Sequence, residues 1–152
     1  METPEVRKLS FAELADDPAF DALVASYAAE AGNPELPPPT PDIQLYLAME
    51  AAGRLHVLGA FVHGELVGFC LPMVYPLPHY AGTRICSFES IFVNPDHRAA
   101  GIGLLLRHAA EELAREQGAA GMYVVAPSGS AFARSLAGEG YRETNRAFFK
   151  KL

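Results

Sequence analysis

The sequence predicts a mixed α/β (α+β) fold in which one sheet carries helices on its faces. Three observations lead there. Apolar residues recur at helical spacing over 20–28 and 102–113, the centre of the chain is dense in Val, Leu, Phe and Gly over strand lengths, and the last third alternates strand, helix, strand, helix, strand. At 152 residues the chain has the size of one domain, taken here as 1–152. A domain of this size buries roughly 68–70% of its unfolded surface, enough for a core without disulfide staples.

Glu5 to Leu9 reads as a short strand. Phe20, Leu23, Val24, Tyr27 and Ala28 then form an amphipathic stripe, with Asp17 placed as N-cap and Pro18 at the first helical position. Five prolines between Asn33 and Pro41 force an extended connection, and a second helix is expected from Pro41, behind Thr40, to near Gly53. Leu55 to Val74 has the texture of two strands split by His63-Gly64, a dipeptide that suits a tight antiparallel hairpin. The three prolines of Pro72 to Gly82 predict a loop, and Arg84 to Val93 a further strand ending at Asn94-Pro95-Asp96. A long helix follows from about Gly101 to Gln117, with Ile102, Leu105, Leu106, Ala109 and Leu113 on one face and Gly118 as C-cap. Met122 to Val125 reads as a short buried strand. Ser128 or Ser130 can cap a last helix through Leu136, and Tyr141 to Lys150 leaves room for one or two more strands.

Composition narrows the function. Half the residues are hydrophobic and 20% are charged, which fits a soluble globular protein and excludes a disordered or coiled-coil chain. Eighteen acidic residues against 12 basic ones give a net charge of −6, which argues against a nucleic-acid partner. No apolar run approaches ~20 residues, so no membrane span is expected. The first residues, Met-Glu-Thr-Pro-Glu, lack the basic and apolar regions of a leader, so a cytoplasmic location is expected. Cys70 and Cys86 match no zinc spacing, and none of the five histidines has metal-ligand spacing; no metal is expected. Buried strand cysteines are usually inert, which disfavours a covalent acyl-enzyme.

The most informative stretch is Phe92-Val-Asn-Pro-Asp-His-Arg-Ala-Ala-Gly-Ile-Gly-Leu104. A buried strand ends in a turn, an arginine follows, and two glycines open a helix. The first helical turn leaves backbone N–H groups without partners at the positive end of the macrodipole, so this is an anion cradle. Gly101 and Gly103 keep side chains away from it. Arg98 can add a cation or tie the loop down. No Lys-Ser or Lys-Thr follows, so the nucleotide P-loop fails; Leu106 stands where the dinucleotide fingerprint needs a third glycine. A plain helix start remains the alternative.

Glu89 is the second candidate. It lies among the apolar residues Ile85, Phe88, Ile91 and Phe92, where a carboxylate must be partnered, protonated or wet. It is either a glutamate facing water from an edge, a partner for Arg84, or a functional base.

Arg98-Ala99-Ala100-Gly101-Ile102-Gly103 resembles the Arg/Gln-x-x-Gly-x-Gly/Ala coenzyme-A loop of the GNAT superfamily of acyl-CoA N-acyltransferases. Ile91-Phe92-Val93 before it, and Gly140-Tyr141 in place of the family's closing Gly-Phe, extend the resemblance over Phe88 to Tyr141. The resemblance implies a central mixed, mostly antiparallel sheet, splayed at its fourth strand and flanked by about four helices. It implies acetyl-CoA as cosubstrate, and a primary amine of a small molecule or peptide as acceptor, attacked in a ternary complex. Ile91, Phe92 and Val93 would border the pantetheine arm, with backbone groups of Ile91 and Val93 offered to it. Arg98 and the amides of Ala99, Ala100, Gly101, Ile102, Gly103 and Leu104 would take the pyrophosphate, and Ser130 is a helix cap and a further pantetheine contact. Glu89, four residues before Val93, falls where the family places its general base.

One departure stands out. Four residues before Gly140 the family usually supplies a tyrosine as general acid, and this chain has Leu136. Tyr141, Tyr123, Ser128 or Ser130 could replace it, the thiolate could leave unassisted, or the chain could be a non-catalytic coenzyme-A-binding module of the same fold. His79 and Tyr80 belong to a loop that would border the acceptor pocket. Pairing through Arg146 to Leu152 is the route open to a homodimer.

Overall fold

A computed structural model of the chain describes residues 3–152. Met1 and Glu2, part of the stretch read above for leader features, lie outside the described residues. The sheet has five strands in the spatial order of the chain: β1 (Glu5–Leu9), β2 (Val57–Val62), β3 (Glu65–Pro76), β4 (Arg84–Val93) and β5 (Ala119–Tyr123). The first three pairings are antiparallel and the last is parallel. The parallel step needs a crossover, supplied by α4 (Ile102–Glu116). Three helices precede the hairpin, α1 (Phe11–Asp16), α2 (Phe20–Ala31) and α3 (Ile43–Ala51), and α5 (Ala131–Ala137) follows β5. Among the described residues no helix is long and apolar enough to cross a membrane.

The sheet divides two cores. On one face Ile102, Leu106, Ala110 and Leu113 of α4 pack on Leu58, Ala60, Cys70 and Val74. On the other, Phe11, Leu14, Phe20 and Leu23 from α1 and α2 pack on Phe61, Phe69, Leu71 and Phe92. Leu106 is fully enclosed, so Leu106→Ala is expected to cost about 3 kcal/mol. Thermal and urea unfolding measure it, and a loss under about 1 kcal/mol would mean that the α4 face is loosely packed.

Several boundaries differ from expectation, each for a physical reason. Helix α1 was not anticipated. It is short, and its signal is the capping box in which the Glu13 amide donates to Ser10 Oγ while the Ser10 amide donates to Glu13 Oε1. Asp17 accepts from the Ala19 amide, but it closes α1, and α2 begins only at Phe20. The cap of α3 is Asp42, whose Oδ1 accepts from the Leu45 amide at 3.0 Å, so Thr40 and Pro41 stay outside the helix. His63 and Gly64 do form the tight hairpin turn, both with positive φ (51° and 76°). Ser130, rather than Ser128, caps α5.

Two expectations fail. The loop placed from Pro72 begins only after Pro76, because β3 runs through the prolines. The strands expected in Tyr141 to Lys150 do not form. After β5 the sheet ends, and the segment has no regular secondary structure, leaving Phe148 91% and Phe149 51% exposed. The strand expected at Met122 to Val125 is shifted to Ala119–Tyr123. It is an edge rather than a buried strand, with Val125 81% exposed.

Candidate active site

The register between β3 and β4 skips one residue. Leu71 stands opposite Ser90 and Pro72 opposite Phe88, so Glu89 is the extra residue of a β-bulge. Proline has no N–H for the ladder, and a bulge is where a strand tolerates that loss. The bulge turns Glu89 toward the helices, where it is exposed at a cavity of about 410 Å³ between the sheet and α1 to α3. Glu89, flanked by apolar residues in the sequence, is thus an accessible carboxylate. It is not paired with Arg84, which donates to the Gln117 carbonyl instead.

Both carboxylate oxygens have a donor. Tyr46 Oη donates to Oε1 at 2.9 Å, and the Ser90 hydroxyl to Oε2 at 2.8 Å. Burial first, and then the Glu89 charge, raise the Tyr46 hydroxyl above the ordinary phenol range, so it remains a donor at neutral pH. Tyr27 is shifted upward by the same two causes in the same order. Tyr46 is itself fixed by stacking on Phe11, with ring centroids 4.6 Å apart. Neither Tyr46 nor Ser90 stood out in the sequence. The one available signal was Pro72 in an apolar strand run, which marks an irregular pairing nearby.

Tyr46 therefore fixes one oxygen of the Glu89 carboxylate. Tyr46→Phe keeps the stacked ring and removes one charge-assisted bond, so the rate of a reaction that uses Glu89 is expected to fall about 10-fold with thermal stability nearly unchanged. Rate and melting temperature measured together check this, and an unchanged rate would show that Ser90 alone orients the carboxylate.

Beyond Glu89, β4 loses its other neighbour. Its parallel pairing with β5 ends at Ser87 opposite Tyr123, so Phe88 to Val93 have β3 on one side and no strand on the other. This is the splay expected at the fourth strand. A 3-10 helix, Pro95–Ala100, leads from β4 to α4, and it contains Arg98, Ala99 and Ala100. Gly101 is the junction, with φ of 73°, a left-handed value that other residues adopt at a cost. No side chain caps α4. The amides of Ile102, Gly103 and Leu104 occupy its first turn, where a helix offers no carbonyl partner. A Cβ added at Gly101 would meet nothing within 4 Å, and one at Gly103 only Val93 Cγ2 at 3.9 Å. Protein packing therefore leaves open the space that bulkier residues would fill, as an anion cradle requires.

Arg98 ties the loop down. Its Nε donates to the Val93 carbonyl at 2.9 Å, a terminal nitrogen reaches Glu30 at 2.7 Å, and the guanidinium lies over the Phe92 ring. One of the backbone groups expected to meet the pantetheine arm, the Val93 carbonyl, is thus already an acceptor. Ser130 Oγ accepts from the Ala133 amide as the cap of α5.

None of the groups considered in place of Leu136 lines the cavity at Glu89. Tyr141 packs on Arg107 of α4; burial and then Glu111 push its hydroxyl up to about 12. Tyr123 and Ser128 are exposed. His79 and Tyr80 are exposed in the loop after β3, and neither lines the cavity at Glu89. Burial drives the Cys70 thiol well above its usual range and the Cys86 thiol up to about 11, so neither is a ready thiolate. Among the described residues no group of three or more His, Cys, Asp or Glu could hold a metal.

An open helix terminus thus lies beyond the unpaired end of β4, with a bulged carboxylate upstream on the same strand. The family model described as Acetyltransferase (GNAT) family matches residues 20–138, and the chain belongs to that family. Solved structures agree. The ribosomal-protein-alanine N-acetyltransferase of Brucella melitensis biovar Abortus 2308 is 25% identical over 99% of each chain, with a TM-score of 0.72. An aminoglycoside acetyltransferase, meta-AAC0020 from an uncultured soil metagenomic sample, in complex with sisomicin, is 18% identical over 98% of this chain and 96% of its own, with a TM-score of 0.75. The aminoglycoside acetyltransferase AAC(6')-Iy, in complex with the bisubstrate analogue CoA-S-monomethyl-acetylneamine, is 19% identical over 98% and 97%, with a TM-score of 0.69. The last two are likenesses of fold. No curated protein sequence matches the chain.

Proposed function

We propose that the chain, as one domain over 1–152, is an acetyl-CoA-dependent N-acetyltransferase acting on a primary amine. The observation that carries this reading is the bulge that presents Glu89 to a cavity on the same strand whose end runs, unpaired, to the uncapped terminus of α4. The coenzyme supplies the acetyl group as a thioester. The amides of Ile102, Gly103 and Leu104 hold its diphosphate, and the free edge of β4 from Phe88 to Val93 aligns the arm. Glu89 takes a proton from the acceptor ammonium, directly or through one water, while Tyr46 and Ser90 hold its oxygens. The amine nitrogen gains the acetyl carbon, the carbon–sulfur bond breaks, the nitrogen releases its second proton to solvent, and solvent protonates the thiolate, no side-chain acid being needed. Holding both reactants in register can be worth ~7–11 kcal/mol, so positioning supplies most of the rate.

Calorimetry with acetyl-CoA tests the cradle, and thiol release with amines tests the chemistry. A dissociation constant on the order of micromolar is expected. Absence of binding would remove the coenzyme from the reading, and binding without thiol release from any amine would leave a coenzyme-binding module.

A homodimer belongs to the same reading. Residues 141–152 form no strand and carry Arg142, Arg146, Lys150 and Lys151 against the single acid Glu143, while the whole chain has a net charge of −6. The exposed Phe148, Phe149 and Leu152 suit the free edge of β5 in a second copy. Sedimentation should show a dimer that truncation after Gly140 converts to monomer; a monomeric full chain contradicts it.

A further inference from the structure

The cavity at Glu89 carries more information than the reaction alone requires. Among the described residues that line it are two carboxylates, Asp42 and Glu89, and no lysine, arginine or histidine. Asp42 gives one oxygen, Oδ1, to the Leu45 amide at the start of α3 and keeps its charge. Two carboxylates, Glu89 and the exposed Asp42, therefore face the acceptor, and the rest of the wall is built from aromatic and apolar side chains. Phe11, Phe20, Tyr27, Tyr46 and Phe69 are linked ring to ring at centroid distances of 4.6 to 6.4 Å, and Leu71 and Met73 continue the surface.

Charge counting on the acceptor follows. A polyamine or aminoglycoside with three or more ammonium groups would bring more cations than the two anions can meet, leaving the others beside apolar walls without partners. A free amino acid would bring a carboxylate with no cationic side chain to meet it. A peptide would bring backbone carbonyls to a rim that includes Pro39 and Pro41, which have no N–H to donate. What the walls complement is one ammonium on an apolar, ring-bearing body.

We infer that the acceptor is a hydrophobic primary monoamine, an arylalkylamine by class, whose ammonium meets Glu89 and whose ring lies among Phe20, Tyr27, Phe69 and Met73. This rests on the acetyl-transfer reading, and the test separates the two. Thiol release from acetyl-CoA is measured with 2-phenylethylamine and tryptamine, and against them spermidine, sisomicin, an alanyl peptide and free phenylalanine. Phenylalanine differs from 2-phenylethylamine only by its carboxylate. The arylalkylamines are expected to exceed each of the others by about 100-fold in kcat/KM. Equal or greater turnover of a polyamine, aminoglycoside, peptide or amino acid overturns the inference and leaves acetyl transfer standing.

A second arm needs no coenzyme. Saturation-transfer NMR should show 2-phenylethylamine bound and spermidine unbound. Binding there without thiol release would keep the pocket assignment and remove the reaction, and no binding of 2-phenylethylamine in either arm overturns it. Leu45 lines the cavity yet is 55% exposed, so Leu45→Glu should fold. It is expected to lower kcat/KM for 2-phenylethylamine about 10-fold and raise that for spermidine, with acetyl-CoA affinity unchanged. An unaltered ranking would mean that the acceptor does not enter this cavity.

Discussion

Replacing Glu89 with glutamine is expected to lower kcat for acetyl transfer by about 100-fold or more, with acetyl-CoA affinity nearly unchanged. Glutamine has the size of glutamate, and its carbonyl can still accept from Tyr46, so the cavity keeps its shape. What it lacks is a basic oxygen for the ammonium proton. The substitution lies on the β3-facing, helix-side part of the site, whereas the coenzyme cradle lies beyond Val93, at the start of α4. The two effects should therefore separate in one experiment, rate by thiol release and affinity by calorimetry. An unchanged kcat would take Glu89 out of proton transfer. A large loss of coenzyme affinity would show that the bulge shapes the cradle as well.

The second large effect is at Gly101. Gly101→Glu is expected to weaken acetyl-CoA binding by about 100-fold or more, because like charges about 4 Å apart repel by about 4 kcal/mol near a protein surface. Steric clash is not the cause, since a side chain there meets open space. Strain contributes something, because φ is 73° and a non-glycine residue in that conformation costs about 1 kcal/mol. Gly101→Ala separates these contributions. It carries the strain without the charge, so it should lose about 1 kcal/mol of stability and keep most of its affinity for the coenzyme. Equal losses in the two variants would mean that backbone conformation, rather than an anion at the helix end, governs binding.

How much of this was legible in the sequence depends on whether the signal was local. The hairpin at His63-Gly64 and the start of α4 at Gly101 each depend on backbone conformations that few residues adopt, and both were found from the residues themselves. The amphipathic stripe of α4 likewise told which face meets the sheet: Ile102, Leu106 and Leu113 are buried there, whereas Leu105, expected on the same face, is 40% exposed. Helix α1 was missed because six residues are too few for a periodicity, although its capping box was written in Ser10 and Glu13. Pro72 was read as the start of a loop because proline weakens a ladder. That inference fails where the partner strand bulges, and the bulge is a property of two strands at once. The same limit hid Tyr46: it is 43 residues from Glu89 in sequence, and only the packing of α3 against the sheet brings them to 2.9 Å. Tyr141 to Lys150 was long enough for one or two strands, but a strand requires a partner edge, and local sequence does not say where that edge will be.

Assigned backbone amide resonances recorded while acetyl-CoA is added would probe the helix terminus itself. Ile102, Gly103 and Leu104 should move most, joined by residues along the unpaired end of β4, with α1 to α3 largely still until an amine is added. Saturable binding that leaves those three amides unmoved would place the diphosphate elsewhere and contradict the cradle.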